Sequence, residues 1–289
     1  MGNRWEEIRA QYGAALDEAL ARNVTDALAE DIGSGDLTAR LVPDGAARRA
    51  RVIVREEAVL CGTLWFSEVM RRVDPAIRIE WHRHDGDRMA PNDVVCEITG
   101  PARSLLTAER TALNFLQLLS GVATSTRRYA DAIAGTRSRI LDTRKTMPGL
   151  RLAQKYAVRV GGGENQRLAL YDGILIKENH IAAAGGVGAA VDAALALDAG
   201  VSVQVEVETI AQLREALAHG AQSILLDNFS FEMMREAVAL TDGRAVLEVS
   251  GGVTLASIRE IAATGVDRIS SGALTKDIKA TDFSMRIVD

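Results

Sequence analysis

VQVEVETIAQLREALAHGAQSILLDNFSFEMMREAVALTDGRAVLEVSGG, residues Val203–Gly252, decides the fold. Three short apolar runs stand in it: Val203 to Val207, Ile224 to Leu226 and Val246 to Val249. Between them lie Thr209–His219 and Phe231–Leu240, whose apolar residues recur at helical spacing. Strands separated by single helices predict right-handed βαβ units and a parallel sheet.

The pattern extends both ways. Ile140-Leu141 and Ile174-Leu175-Ile176 precede the stretch; the helical segment Leu255–Thr264 and Arg268-Ile269 follow it. Six such runs after residue 139 predict an α/β barrel, complete or open, with a doubly wound sheet as the main alternative. Each run ends on polar residues: Asp142/Arg144/Lys145, Lys177/Glu178/Asn179, Glu206/Glu208, Asp227/Asn228, Ser250 and Ser270/Ser271. A single charge after a strand is ordinary loop solvation. Repetition over successive strands predicts a composite active site at their carboxyl ends.

Charge agrees with this placement. The chain has 289 residues, with 34 Lys/Arg against 39 Asp/Glu, yet Arg139–Arg167 carries seven basic residues and two acids. Positive charge concentrated within an acidic protein predicts an anion site. The net charge of -5 argues against a general nucleic-acid or membrane-surface binder. Two cysteines, Cys61 and Cys96, make a disulfide framework unlikely and a reduced cytoplasmic setting the default. The N-terminus has no apolar stretch of signal-peptide type, Glu6 spoils a myristoylation pattern, and no run approaches the roughly 18 apolar residues a membrane span needs.

Residues 1–30 read as helical, with Trp5, Ile8, Leu16 and Leu20 as the apolar stripe. Glu30–Thr38 reads as a turn and helix cap rather than a calcium loop, since it lacks alternating ligands and a closing Glu. From Ala50 to Gly100 the period changes to two, with strands at Arg51–Arg55, Ile77–Trp81 and Val94–Ile98; these form a small antiparallel sheet with helices. His82 and His84 read as exposed strand-end residues. Ser104–Gly121 is a linking helix whose polar face carries Arg110, Asn114 and Gln117. That face is either solvated or aimed, through Arg110, at a ligand or a partner subunit. Pro148-Gly149 opens a second helix, with Leu152, Ala153, Tyr156, Ala157 and Val160 on its apolar stripe and Lys155 turned elsewhere.

The collected groups suit a polyanion, a divalent metal and a second anionic substrate. Arg144, Lys145, Arg167 and Lys177 are cations for carboxylate or phosphate. Glu206 and Asp227 are candidate Mg²⁺ ligands on successive strands. Ser250-Gly251-Gly252 and Ser271-Gly272 follow strands and precede helical patterns, where backbone N–H groups can meet phosphate. No Cys-His or Ser-His-Asp arrangement, Walker loop or GxGxxG is visible; Lys145 or Lys177 as a Schiff-base lysine stays open.

In these residues and their order the chain resembles the quinolinate phosphoribosyltransferase family. The resemblance rests on EDIGSGDLT (Glu30–Thr38), AERTALNFLQLLSGVAT (Ala108–Thr124), DTRKTMPGLR (Asp142–Arg151), KYAVRVGGG (Lys155–Gly163), LIKENHI (Leu175–Ile181), VEVE (Val205–Glu208), LLDNF (Leu225–Phe229), EVSGG (Glu248–Gly252) and SSGALTK (Ser270–Lys276). It implies an α/β sandwich domain over residues 1–112 and an open or incomplete TIM-like α/β barrel over 113–289, whose C-terminal tail can pack back on the first domain. The implied reaction joins quinolinate to 5-phosphoribosyl-1-pyrophosphate, giving nicotinate mononucleotide, pyrophosphate and CO₂, a step of NAD synthesis. By position, Arg144, Arg167 and Lys177 match the binders of the quinolinate carboxylates, and Lys145 lies between the substrates. Glu206 and Asp227 match the carboxylates at the ribose hydroxyls and Mg²⁺, and Ser250, Gly251, Gly252 and Gly272 the 5-phosphate site, with Ser271 beside it. Arg110 matches an arginine that completes a neighbouring subunit's site, which implies a homodimer or larger assembly.

One position departs from the pattern. Many members read Asn-His-Arg after the triple glycine, where this chain reads Asn165-Gln166-Arg167. Glutamine keeps a hydrogen-bond donor for the aromatic acid and carries no charge. A relative acting on another aromatic acid and a non-catalytic phosphoribosyl binder are the competing readings. The intact DTRK, KENH and VEVE segments argue against the first, and retention of Lys145, Lys177, Glu206 and Asp227 against the second.

Overall fold

Ala50, Val52 and Val54 are buried while Arg49 and Arg51, which alternate with them, are exposed, the signature of a strand with one wet face. This strand, β1 (Ala47–Val54), is followed by β2 (Ala58–Val59), β3 (Arg78–Trp81), β4 (Arg88–Met89) and β5 (Val94–Pro101). The computed structural model describes residues 4–43 and 45–288. Residues 1–3 of the expected N-terminal helix and the Trp5 side chain lie outside the described residues. Two helices fill the rest of that stretch, Arg4–Tyr12 and Ala14–Ile32, separated at Gly13, whose φ of 53° interrupts a continuous helix. Asp36 accepts a hydrogen bond from the Ala39 N–H (2.9 Å) and caps the short 3₁₀ turn Thr38–Leu41, as the turn-and-cap reading expects. His82 and His84 are exposed.

The first compact unit gathers residues up to Arg127, then Met147–Gly162, then the segment from Asp277 onward. Its antiparallel sheet has the order β12-β1-β5-β3, where β12 is the C-terminal strand Phe283–Ile287. The tail therefore supplies an edge strand to the first sheet. The linking helix is longer than expected, Ala102–Ala132, and the 112/113 boundary falls within it. Helix Arg151–Gly161 is buried on nearly all sides, including Gln154 and Lys155, so Lys155 is not on a solvent-facing side. Its Tyr156 packs on Trp65 (centroids 5.7 Å apart) and donates from its hydroxyl to Asp85 (2.9 Å). Asp85 also accepts from the N–H groups of Gly62 and Thr63, capping helix Thr63–Val73 from a distance in sequence. Burial pushes the Asp85 carboxyl upward against these bonds.

The second unit comprises Arg128–Thr146 and Gly163–Lys276. Its strands are β6 (Arg139–Leu141), β7 (Gly173–Ile176), β8 (Ser202–Val207), β9 (Ser223–Asp227), β10 (Val246–Ser250) and β11 (Arg268–Ser270). They pair in parallel in the order β6-β11-β10-β9-β8-β7. Consecutive strands are neighbours and the last lies beside the first. That is the order of a barrel; a doubly wound sheet would reverse direction from a middle strand. No strand pairing joins β6 to β7 among the described residues, so the barrel is open there. The opening coincides with the one crossover whose helix, Arg151–Gly161, belongs to the first unit.

Register places Glu206, Leu225, Glu248 and Arg268 side by side on one face. The opposite face carries Val205, Val207, Ile224, Leu226, Leu247, Val249 and Ile269, all buried. The aliphatic face is the helix-covered exterior, and the polar residues fall on the interior.

Candidate active site

Most strands of the second unit lead at their carboxyl ends into polar or charged residues, and strand order sets the site's order. At the end of β7, Lys177 Nζ lies 3.0 Å from Glu206 Oε2 at the end of β8. Glu206 is largely sheltered, with an 11% exposed side chain, while Lys177 is 47% exposed. Asp227 closes β9 and pairs in register with Ser250 of β10. Asn228 donates from Nδ2 to Asp227 (2.8 Å) and takes a left-handed φ of 55°. Gly251 follows at φ 95°, so close that a Cβ there would fall 2.5 Å from Asn228 Oδ1. Only glycine tolerates both the conformation and the approach.

At the end of β11, Gly272 lies under the Lys145 side chain; a Cβ would be 2.9 Å from Lys145 Cδ. The Thr275 hydroxyl donates to the Lys145 carbonyl (2.8 Å), fixing the loop after β6 against the loop after β11. Ser271 is buried, with its hydroxyl directed at the Val253 carbonyl (3.5 Å), so it supports the loop from within.

Arg144 and Arg167 form a pair of like charges. Burial first, then the Arg144 charge, pull the Arg167 pKa below its ordinary value, against the opposing charge of Asp172. Arg167 Nη1 donates to the Gly173 carbonyl (2.9 Å), yet the Nε atoms of Arg144 and Arg167 are both buried without a hydrogen-bond partner. Half-buried guanidiniums held together with donors unsatisfied are costly until an anion joins them. Beside them, buried Asp142 accepts from Asn165 Nδ2 (2.6 Å) and the Gln166 N–H (3.0 Å), anchoring the segment after the triple glycine to β6.

The structure thus places Arg144, Lys145, Lys177, Glu206, Asp227, Ser250, Gly251 and Gly272 at or just beyond the carboxyl ends of one sheet, whereas Arg167 precedes β7, meets Arg144 electrostatically and bonds the first residue of that strand. Arg110 belongs to the first unit, exposed on helix Ala102–Ala132. Sequence reasoning missed Gln204 and Glu248, both buried on the inner face. In the sequence each is a single polar residue between aliphatic ones, Val203-Gln204-Val205 and Leu247-Glu248-Val249, a pattern that does not say which face is wet. They help line a cavity of about 510 Å³ with Arg167, Asp172, Gln222 and Arg268. This cavity meets the first residues of β7 to β11 rather than their last, so it is distinct from the ring of charged strand ends.

An open α/β barrel presenting cations opposite two carboxylates, with a glycine loop beside them, defines a group-transfer enzyme for anionic substrates. Comparison with known families makes this specific. The quinolinate phosphoribosyl transferase N-terminal domain matches residues 36–120, and the C-terminal domain of that enzyme matches residues 122–286. The chain belongs to the quinolinate phosphoribosyltransferase family. It is 42% identical over 259 residues to a probable nicotinate-nucleotide pyrophosphorylase [carboxylating] of Bacillus subtilis, covering 89% of this chain and 90% of that one. It is 41% identical over 282 residues to the mitochondrial quinolinate phosphoribosyltransferase [decarboxylating] 2a of Nicotiana tabacum, covering 90% and 80%. The solved structure of the Francisella tularensis nicotinate-nucleotide pyrophosphorylase superposes with a TM-score of 0.92 at 48% identity, covering 94% of this chain and 96% of that one. No helix among the described residues is long and apolar enough to cross a membrane.

Proposed function

We propose that the protein transfers the phosphoribosyl group of 5-phosphoribosyl-1-pyrophosphate to quinolinate, releasing pyrophosphate and CO₂ and forming nicotinate mononucleotide for NAD synthesis. The observation that carries this reading is the Arg144–Arg167 pair with its buried, unsatisfied donors, in the same parallel barrel whose strand ends carry Lys177, Glu206 and Asp227. Quinolinate brings two adjacent carboxylates, and guanidiniums with Lys177 answer them. Gln166 sits beside Arg167 and offers the aromatic acid a hydrogen bond. Lys145, lying over Gly272, faces the space between acid and donor, where it steadies the departing pyrophosphate. The loop Ser250-Gly251-Gly252 receives the 5-phosphate, with Gly272 and the adjacent Ser271 completing that end.

The ribosyl carbon gains positive charge as the pyrophosphate bond breaks. Glu206 and Asp227, held on neighbouring strands, grip the ribose hydroxyls and stabilise that charge. Among the described residues no three His, Cys, Asp or Glu side chains gather as a metal cage. Two carboxylates fit Mg²⁺, which ordinarily takes one or two protein carboxylates and completes its shell from phosphates and water. Bound there by Glu206 and Asp227, Mg²⁺ would supply neutralising charge to the pyrophosphate. Once the ring nitrogen is quaternary, the bond to the adjacent carboxylate breaks, CO₂ leaves, and the electron pair left on the ring carbon takes a proton from water. In this reading the enzyme works in the cytoplasm as a homodimer or larger assembly, with Arg110 reaching the neighbouring subunit's site.

The test is incubation with quinolinate, 5-phosphoribosyl-1-pyrophosphate and Mg²⁺, followed by mass spectrometry. A product of nicotinate mononucleotide mass, absent when any component is omitted, is expected. Equal turnover of nicotinate would overturn the substrate assignment.

A further inference from the structure

Gln204 is 6% exposed on the inner face of β8, and its amide stands between two partners. Gln166 Nε2 donates to Gln204 Oε1 (2.8 Å), and Gln204 Nε2 donates to Glu248 Oε2 (3.0 Å). Glu248 is 1% exposed on β10. An amide has one donor end and one acceptor end. Whichever end Gln204 turns to Glu248, it turns the other to Gln166, and Gln166 must answer with the complementary group. The two strand residues therefore dictate which way round the Gln166 amide is held. A lone glutamine at the rim of a site would sample several rotamers, whereas this one is tied at its backbone to Asp142 and at its side chain to Gln204.

We propose that Gln204, anchored by Glu248, is a positioning residue that holds the Gln166 amide in one orientation and thereby sets how the aromatic acid is received beside Arg167. The inference rests on the reading that Gln166 and Arg167 contact quinolinate. It gives the neutral residue at position 166 a matched, neutral support from below. All three relay residues line the interior cavity, deeper along the strands than the charged strand ends.

Replacing Gln204 alone strands a buried Glu248, so the test removes both polar groups together. In the double variant Gln204→Leu/Glu248→Leu, KM for quinolinate should rise about tenfold while KM for the phosphoribosyl donor stays within about twofold. Gln166→Leu alone should give the same rise, and adding it to the double variant should give no more. The exchange Gln204→Glu/Glu248→Gln keeps an acceptor facing Gln166 and should restore the wild-type KM. Equal shifts in both KM values, or additive effects, would overturn the proposal. A crystallographic comparison needs no turnover: Gln166 should hold one rotamer in the wild type and spread over several in the leucine double variant. A single unchanged rotamer in both would sink the positioning role. Absence of quinolinate turnover by the wild type would instead sink the functional reading, with the rotamer comparison still deciding this one.

Discussion

Gly251 carries more constraint than any charged residue of the site. Its φ of 95° strains a side-chain-bearing residue, and its missing Cβ would lie 2.5 Å from Asn228 Oδ1 and 3.3 Å from Asp227 Oδ1. Gly251→Ala is expected to cost about 1–3 kcal/mol in strain and to disturb Asp227 directly. Steady-state kinetics should register this as a KM for the phosphoribosyl donor raised at least roughly tenfold, with the KM for quinolinate moving less. At position 166, the neighbouring acceptor on Gln204 suits an imidazole N–H as well as an amide. Gln166→His should keep kcat/KM within roughly fivefold, less than about 1 kcal/mol of transition-state binding; total loss would show that the amide carbonyl has a task of its own. The charged members of the site could be read from the chain because each ends an apolar run, where solvent or substrate must meet it. Gln204 and Glu248 could not be read that way, since a polar residue inside a strand looks the same whether it faces water, as Glu97 does beside Arg51, or a barrel interior. Only register separates the two cases.

Helix Arg151–Gly161 shows the same limit on a larger piece of chain. Its apolar stripe was visible, but a stripe says that a face is buried and not against what. After a barrel strand the default is the exterior of that barrel, whereas here Tyr156 lies with Trp65 and Asp85 of the first unit. The contact is tight: a Cβ on Gly161 would fall 2.6 Å from the Ala123 carbonyl oxygen and 2.7 Å from Thr126 Cβ. Gly161→Ala should therefore destabilise the protein by about 1–3 kcal/mol in urea unfolding, because backbone on helix Ala102–Ala132 must move. Helix Thr63–Val73 offers a pH test. Glu68 accepts from Arg71 and Arg72, and these bonds, Arg71 foremost, lower its pKa from 4.5 to about 2. A depressed carboxylate stabilises the fold fully above its unfolded value, and the effect fades as pH falls toward about 2. Glu68→Gln should thus lower stability at neutral pH by a modest amount, since Arg71 is exposed, and the difference from wild type should shrink steadily between pH 4.5 and 2.

Assembly is where the proposed shared site can be broken and rebuilt. Arg110→Ala and Lys145→Ala should each be inactive, yet mixing the two under subunit exchange should recover activity, because some sites would then combine an intact Lys145 with an intact partner arginine. No recovery would overturn the shared site. Chelation of Mg²⁺ should abolish turnover and leave the thermal unfolding midpoint unchanged, since no metal cage among the described residues supports the fold.

The chain's route also has a bearing on how it is made. Strand β12 joins β1, the pair Ala50–Ile287 bridging almost the full sequence, and the second unit is translated between them. Emerging from the ribosome, the first sheet waits with β1 lacking one neighbour until every barrel strand has been synthesised. Its unpaired edge is flanked by Arg48, Arg49, Arg51 and Arg55, charges that discourage stray strand pairing during that interval. The arginine-rich wet face of β1 thus reads as a guard for a nascent chain, active before the enzyme exists.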